Sequence, residues 1–322
     1  MKQQTGRIGP RTSPRWPGTA ACRILLACLG TVLASAGEAG AASDAAAPSL
    51  ALPTGRIAFA SFDFGTRVGS LHVLLLDTMT VTLVKQAQGS AFHSLVWTPD
   101  GSRITYVASA DAAVWRSQIF TIDVDGREVE PIYPSDGHND FPAWSLDWRL
   151  AYLHGPGGGS GGPIWVNGSL FYSAYCDRSR PAWSPDGSAL VVVLLPEGMW
   201  RVNTNNYLST PLPPPPGGGW CTQPIYSPSG SRIAFVRQGG AAPAEQAEIW
   251  LMSPDGTHPV QVTRGYRDFY PTWSPDGQYI AFMRGFGTLQ QGFYPWNIVI
   301  TGADGSNPTV VIEDGSTPAW TR

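Results

Sequence analysis

Charged residues, histidines and cysteines are all scarce in this chain of 322 residues. Asp, Glu, Lys and Arg make up 14% of the sequence, the formal net charge is −3 and no basic stripe is present, so a nucleic-acid partner is not expected. The five histidines are scattered without metal-ligand spacing, so neither a metal nor another cofactor is predicted. The apolar run at 24–36 is too short for a transmembrane helix, and no integral membrane segment is predicted.

The same apolar run has the context of a secretory signal. Five basic residues precede it, and small-residue cleavage signals follow at Ala34-Ser-Ala36 and Ala39-Gly-Ala41. We therefore predict a signal peptide at 1–41, cleaved near 36 or 41, and a linker at 42–53. The mature protein is then exported, to the periplasm or the outside of the cell. Lipoprotein anchoring is the minor alternative, because Leu25-Leu-Ala-Cys28 resembles a lipobox.

A short phrase of sequence recurs six times in the rest of the chain. Its full form, Trp273-Ser-Pro-Asp-Gly-Gln-Tyr-Ile-Ala-Phe282, has an aromatic residue that ends one strand, a Pro-Asp-Gly turn and an apolar start to the next strand. The aromatic residues, called anchors below, are 39 to 47 residues apart, close to the length of a four-stranded propeller blade. They are Trp97, Trp144, Trp183, Tyr226, Trp273 and Trp320.

One copy of the phrase is split between the two ends of the chain, and this predicts a closed ring. No anchor precedes Gly55, and no second strand follows Trp320. A C-terminal strand at 318–322 can pair with an N-terminal strand at 55–61 and remove two exposed strand edges. We predict an all-β, six-bladed β-propeller with four-stranded blades, formed as a single domain by 54–322.

The second strand of each predicted blade alternates large and small residues, as in Ile57-Ala-Phe59. Because successive side chains of a strand point to opposite faces, the large residues share one face and the small residue lies on the other. A blade lies between two neighbours, so both faces are buried. We therefore expect the bulky face of each blade to pack against the small face of the next.

The repeat resembles that of the TolB-like β-propeller family. Trp183-Ser-Pro-Asp-Gly187 and Ile280-Ala-Phe282 carry the resemblance, together with a proline two residues before most anchors. It covers 54–322 and is more specific for fold than for function. In TolB itself a small α/β domain precedes the propeller, and the protein works in a periplasmic complex with an outer-membrane lipoprotein. The linker at 42–53 is too short for such a domain, so we expect TolB-type propeller repeats without it.

The turns divide the predicted ring into two faces. The tight turns between first and second strands, and between third and fourth strands, lie on the turn face, which the pattern marks as structural. The longer connections lie on the opposite, loop face, where a rigid scaffold presents variable segments for binding. Aromatic residues and arginines are common interface anchors. The candidate binding residues are Phe64, Arg67, Asp140, Tyr175, Arg180, Trp220, Tyr266, Asp268, Phe269 and Phe293.

Two cysteines remain after the predicted cleavage. Cys176 and Cys221 lie seven and five residues before their anchors, in loops that the repeat places in equivalent positions of adjacent blades. An exported protein enters an oxidising compartment, where disulfides persist. The two alternatives are a Cys176–Cys221 disulfide and two free thiols near the centre of the ring.

These features favour a non-enzymatic, exported protein-binding scaffold that works as a monomer in the cell envelope and docks a protein, or a glycan, on its loop face. The alternative is an enzyme or a metal-dependent glycan-binding protein with a polar site at the central channel. The residues that would converge there are His138, Asp140, Arg180, Arg267 and Asp268, because each lies shortly before an anchor.

Overall fold

The computed structural model describes residues 53–109, 117–129, 137–155, 161–177, 179–239, 246–286 and 296–321. Every regular element in these ranges is a β-strand, as the repeat predicts. The predicted signal peptide, together with Cys28 and most of the linker, lies outside the described residues. Within the described ranges, no helix has the length and apolar character needed to cross a membrane.

Twenty-four strands follow one another along the described chain. They are β1 (Arg56–Asp63), β2 (Val68–Leu75), β3 (Thr80–Gln88), β4 (Phe92–Trp97), β5 (Arg103–Ser109), β6 (Ser117–Asp123), β7 (Glu128–Val129), β8 (His138–Trp144), β9 (Leu150–Gly155), β10 (Gly162–Val166), β11 (Ser169–Cys176), β12 (Ala182–Trp183), β13 (Ala189–Leu194), β14 (Gly198–Asn203), β15 (Ser209–Pro211), β16 (Trp220–Tyr226), β17 (Ile233–Gln238), β18 (Ala247–Met252), β19 (Val260–Gln261), β20 (Arg267–Trp273), β21 (Tyr279–Gly285), β22 (Trp296–Gly302), β23 (Thr309–Ile312) and β24 (Ser316–Trp320).

Hydrogen bonds join these strands into two four-stranded and two eight-stranded sheets. The four-stranded sheets have the orders β24-β1-β2-β3 and β4-β5-β6-β7. Each eight-stranded sheet contains two antiparallel sets that meet at one bridge. Cys176 of β11 lies opposite Leu194 of β13, and Ala247 of β18 lies parallel to Arg267 of β20.

The two ends of the described chain lie side by side, as the split copy of the repeat predicts. Ile57 is opposite Trp320, and Ala58 is opposite Ala319. The strands that pair are Arg56–Asp63 and Ser316–Trp320, each one or two residues from the predicted bounds. The strands that end in an anchor also contact one another in the cyclic order β24, β4, β8, β12, β16, β20 and again β24.

Anchor tryptophans connect the sheets through their indole N–H groups. Each of three buried indoles donates to the carbonyl of the residue just before the preceding anchor, and one of these bonds joins β4 to the C-terminal strand. A buried carbonyl left without a partner costs about 1–3 kcal/mol, so these bonds fix how neighbouring strands are aligned. The bonds are Trp97 to Ala319 (2.9 Å), Trp183 to Ala143 (3.0 Å) and Trp273 to Ile225 (3.3 Å).

The aspartate of the repeat closes the turn that follows the anchor. Asp186 Oδ1 accepts the Ser184 hydroxyl at 2.5 Å and the Ser188 N–H at 3.1 Å, while Gly187 takes a left-handed φ of 68°. The Ser184 and Ser188 bonds lower the pKa of Asp186 to about 2. The recurring Ser-Pro-Asp-Gly-Ser motif is therefore explained by turn closure, in which the glycine adopts the positive φ.

Arginines at the beginning of two second strands, one at the first residue and one just before it, reach into the next repeat. The Arg149 guanidinium lies 4.5 Å from the Trp183 ring centre, and its Nη2 donates to the Gly187 carbonyl at 2.8 Å. Arg56 makes the same pair of contacts with Trp97 and Gly101, at 4.7 and 2.6 Å. A cation over a tryptophan contributes about 0.5–2 kcal/mol, so these arginines reinforce the indole bonds.

Core packing follows the alternation of large and small residues in the second strands. Ala58 belongs to a cluster with Trp97 and Ile104 of the following repeat. Its neighbours Ile57 and Phe59 face the other way, in a cluster with Ala281. The bulky face of one sheet thus meets the small face of the next, as expected from the sequence.

Trp97→Phe should lower the free energy of unfolding by about 1–3 kcal/mol more than Trp320→Phe. Both side chains are 4% exposed, so the loss of ring size is matched. Trp97 Nε1 donates to Ala319, whereas Trp320 Nε1 has no hydrogen-bond partner among the described residues. Urea denaturation of the two variants measures the difference, and equal losses would contradict a role for the indole bond.

Candidate functional site

The predicted loop-face residues divide into exposed, central and buried groups. The exposed group contains four aromatic residues and also Arg67, which lies three positions after Phe64. Phe293 lies outside the described residues. The exposed fractions are 62% for Phe64, 51% for Tyr175, 52% for Trp220 and 45% for Tyr266.

The turn face also exposes apolar side chains, which the sequence pattern does not predict. The pattern marks this face as structural, because its turns are short and alike. Several turns nevertheless carry large apolar residues that contact solvent. These are Leu146 and Trp148 between β8 and β9, Leu170 at the start of β11, and Tyr207 and Leu208 between β14 and β15.

A repeated irregularity shapes the anchor strands at their loop-face ends. Pairing in β8 shifts between Asp140 and Ala143, and β16 and β20 shift at the equivalent points. The residue three positions before the anchor takes a positive φ of 46° to 54° in five repeats: Ser94, Phe141, Gln223, Tyr270 and Thr317. A proline follows four of these residues. Proline cannot donate to a ladder, so its recurrence was the available sequence signal for these bulges.

Side-chain oxygens hold the backbone at these bulges. Gln223 N–H donates to Ser179 Oγ at 2.6 Å, and Tyr270 N–H donates to Gln223 Oε1 at 2.6 Å. These bonds pass from one anchor strand to the next around the centre. Phe141 N–H instead donates to the neighbouring carboxylate, Asp140 Oδ1, at 2.7 Å.

Asp140 and Arg180, two of the predicted binding residues, both contact β4. Asp140 Oδ1 accepts the Ser94 hydroxyl at 3.3 Å and lies 3.7 Å from His93 Nδ1. Arg180 Nη2 donates to the Leu95 carbonyl at 2.8 Å, although β8 lies between β4 and Arg180 in chain order. Arg180 therefore extends across the centre instead of pointing to solvent.

A narrow pocket lies beside Arg180 and has room for about one water molecule. Its lining comes from the bulges and from the prolines that follow them. The lining residues are Phe141, Arg180, Gln223, Pro224, Ile225, Tyr270 and Pro271.

The residues predicted to form a catalytic or metal site at the channel have separate partners. His138 Nδ1 accepts the Ser117 N–H at 3.2 Å, and Asp268 binds Arg284. Among the residues that the structure describes, no group of three or more His, Cys, Asp or Glu side chains is arranged to hold a metal ion. Of the predicted set, Asp140 and Arg180 both contact β4 through their side chains.

A buried row of four charged side chains crosses the sheet that runs from β16 to β23. Arg237 is opposite Glu248, and Asp268 is opposite Arg284. The parallel bridge between Ala247 and Arg267 brings the two pairs together, with the carboxylates in the middle. All four residues are buried, and the sequence pattern did not reveal the row, because its members come from different repeats.

The contacts in the row are unequal. Arg284 donates to Asp268 through two bonds, from Nε to Oδ1 at 2.7 Å and from Nη2 to Oδ2 at 2.8 Å. Arg237 Nη1 lies 3.7 Å from Glu248 Oε2, and its Nη2 has no hydrogen-bond partner among the described residues. Burial raises the pKa of Asp268, the Arg284 bonds oppose this change, and the Glu248 carboxylate adds to it.

Aromatic rings cover both arginines of the row. The Tyr266 ring centre is 3.9 Å from the Arg284 guanidinium, and the Trp250 ring centre is 4.9 Å from that of Arg237. Phe269, another predicted binding residue, is half-buried and packs edge-on against Trp296 at 6.0 Å. Tyr266 therefore links the exposed loop face directly to the buried charges.

The disulfide alternative is absent from the structure, because Cys176 and Cys221 are both free and buried. The repeat suggested equivalent loops of adjacent blades, but Cys176 ends β11, the last strand of its set, whereas Cys221 lies in the anchor strand β16. They belong to different core clusters. Burial raises the pKa of Cys176 to about 12 and that of Cys221 to about 11.

Sequence comparison gives local matches to TolB proteins, and no protein-family model matches the chain. Over 108 residues the chain is 33% identical to the Tol-Pal system protein TolB of Gluconobacter oxydans strain 621H. This match covers 32% of the chain and 23% of that protein. The chain thus matches about a quarter of the length of this curated relative.

Structural comparison extends the likeness to most of the chain. The crystal structure of TolB from Acinetobacter baumannii superposes with a TM-score of 0.69 and 20% identity, over 83% of this chain and 66% of that one. The structure of a putative TolB from Agrobacterium tumefaciens gives a TM-score of 0.59 and 18% identity, over 81% and 90% of the two chains. At these identities the likeness establishes the fold.

Arg284→Met should lower the free energy of unfolding by about 3–5 kcal/mol, because the fully buried Asp268 carboxylate loses its cation. The double variant Asp268→Leu/Arg284→Met removes both charges and should be more stable than Arg284→Met alone. Urea denaturation of the two variants and the parent tests this order. If the double variant were as unstable as Arg284→Met, the unpaired Asp268 carboxylate would not be the cause of the lost stability.

Denatured, unreduced protein purified after export should contain two reactive thiols per chain, and native protein should react far more slowly. Burial and the raised thiol pKa values keep both sulfurs protonated and inaccessible at neutral pH. Titration with a thiol-specific chromophore measures this. Cys176→Ser and Cys221→Ser should each remove one thiol, and a count of zero in the parent would indicate a bridge.

Proposed function

On the premise that this chain is a TolB-like β-propeller protein, we propose that it is a non-enzymatic scaffold that binds a protein partner in the cell envelope through its loop face. The TolB relatives are named for the Tol-Pal system, an association that supports an envelope role for this chain. The secretory pattern at 1–41 supports export to the periplasm or beyond. We further propose that the mature protein acts as a monomer.

The proposed scaffold is a closed ring of six four-stranded blades. Pairing of Ile57 with Trp320 supports closure, and so does the cyclic order of contacts among the anchor strands. The indole bond from Trp97 to Ala319 crosses the junction between the chain ends. A closed ring leaves no long unpaired edge at its seam, and its loop ends are fixed relative to one another.

The exposed aromatic side chains of the loop face are the observation that carries the proposed function. Phe64, Tyr175, Trp220 and Tyr266 each expose about half of their surface or more. They stand at strand ends or in short connections of a rigid sheet. Aromatic residues presented in this way are typical binding anchors in protein interfaces.

Site-specific photocrosslinking in living cells tests this proposal. A benzophenone amino acid at position 64, 175 or 220 should give a discrete adduct with one envelope protein, because these side chains would lie in the interface. Positions 148 and 207 of the turn face are matched controls with similar exposure. Adducts from the control positions alone would place the interface on the opposite face.

A further inference from the structure

The loop-face ends of six strands form one continuous row between β16 and β22, called here the β16–β22 edge. Trp220, Gln238, Ala247, Arg267, Gly285 and Trp296 are paired in this order across the sheet. The parallel bridge between Ala247 and Arg267 makes the row continuous, and the Ala247 N–H donates to the Tyr266 carbonyl at 3.0 Å. The edge is thus a platform wider than one four-stranded set.

Positive charge is concentrated on the first part of this edge. Its described ionisable residues are four arginines and two carboxylates: Arg237, Arg264, Arg267, Arg284, Glu248 and Asp268. Both carboxylates are buried and face Arg237 and Arg284, so neither presents its charge to solvent. Arg264 is exposed beside them. In a chain with a net charge of −3, the edge therefore has the opposite sign to the molecule as a whole.

One buried donor on the edge has no hydrogen-bond partner. Arg237 is 5% exposed, its Nε donates to the Gly218 carbonyl at 2.7 Å, and its Nη2 has no partner among the described residues. A buried guanidinium N–H without an acceptor is costly, and a carboxylate is the acceptor that fits it best. Gly218 and Gly219, which follow the exposed turn beside it, are themselves exposed.

Exposed aromatic rings flank this charge. Trp220 and Tyr266 expose 52% and 45% of their surfaces, and Tyr266 lies flat over the Arg284 guanidinium. At the far end the Asp314 N–H donates to Asn297, so Asp314 places a carboxylate beside β22. An acidic ligand is accordingly confined to the part of the edge between β16 and β21.

We propose that the β16–β22 edge binds an acidic segment of a protein partner, with its carboxylates facing the exposed Arg264 and its backbone or apolar side chains against Trp220 and Tyr266. This inference rests on the proposed function and specifies the chemistry of the partner. The arginines of the edge attract such a segment.

The test uses a fluorescein-labelled peptide of alternating Glu and Gly, with a Lys and Gly peptide as the probe of opposite charge. Anisotropy should show that the purified exported protein binds the acidic peptide and not the basic one. Binding should weaken as salt rises from low ionic strength to about 0.15 M, because exposed charges are screened. Arg264→Glu should weaken binding about tenfold or more.

Two charge reversals provide matched controls. Arg67→Glu changes an exposed arginine elsewhere on the loop face, and Arg232→Glu changes one on the turn face. Both should leave binding within about twofold of the parent, since Arg67 belongs to the connection between β1 and β2 of another sheet and Arg232 lies on the opposite face. Unchanged thermal unfolding of all three variants confirms that each one is folded.

The outcomes separate this inference from the proposed function. If the parent does not prefer the acidic peptide, or if Arg67→Glu weakens binding as much as Arg264→Glu, the inference is wrong. Loop-face crosslinks at 64, 175 or 220 would still support the scaffold in that case. If the peptide binds at Arg264 but no loop-face position gives a crosslink, the acidic site stands and the proposed envelope partner does not.

Discussion

The bond from an anchor indole to the anchor strand before it is the constraint on which the rest of the structure depends. The indole of Trp97 reaches Ala319, 222 positions away in the chain, and the same geometry recurs at Trp183 and Trp273. Because the acceptor always precedes an anchor, each bond sets the height and rotation of the next strand. The positions of the loop-face ends follow from this, and with them the placement of every candidate binding residue.

Much of the fold follows from the repeat, since turn chemistry and anchor spacing are local properties of sequence. The pairing of Ile57 with Trp320 and the packing of Ala58 under Trp97 were both predictable in this way. The buried charge row was not. Arg237 and Arg284 occupy the same position of their repeats, but the residue opposite is Cys221 in one case and Asp268 in the other. The sequence of one repeat cannot show which residues the neighbouring repeat places against it. Asp268 was therefore predicted to bind a partner, whereas in the structure it is buried against Arg284.

Two different rules distribute charge over the molecule. On the turn face, aspartate recurs because its carboxylate closes a turn, and its charge is a by-product of that role. On the loop face, the arginines are not part of the repeated phrase, and some, such as Arg180 and Arg284, are drawn inward by carbonyl or carboxylate acceptors. The charged residues of the turn face thus serve the structure of the repeat, whereas those of the loop face are specific to this sequence. Charged residues that the repeat does not require are the better guide to function.

The bulges explain how a loop face built on strands can be rigid enough to recognise a partner. A non-glycine residue with positive φ costs about 1–3 kcal/mol, so it persists only where its surroundings hold it. Here the Ser179 hydroxyl holds Gln223, and the Gln223 side chain in turn holds Tyr270. Loops that leave such a fixed centre lose little conformational freedom when a partner docks, and more of the contact free energy remains available for affinity.

The narrowness of the central pocket follows from the same bonds, because strands tied this closely leave little space between them. The proposed recognition would then use side chains that are exposed around this pocket, among them Trp220, Tyr266 and Arg264.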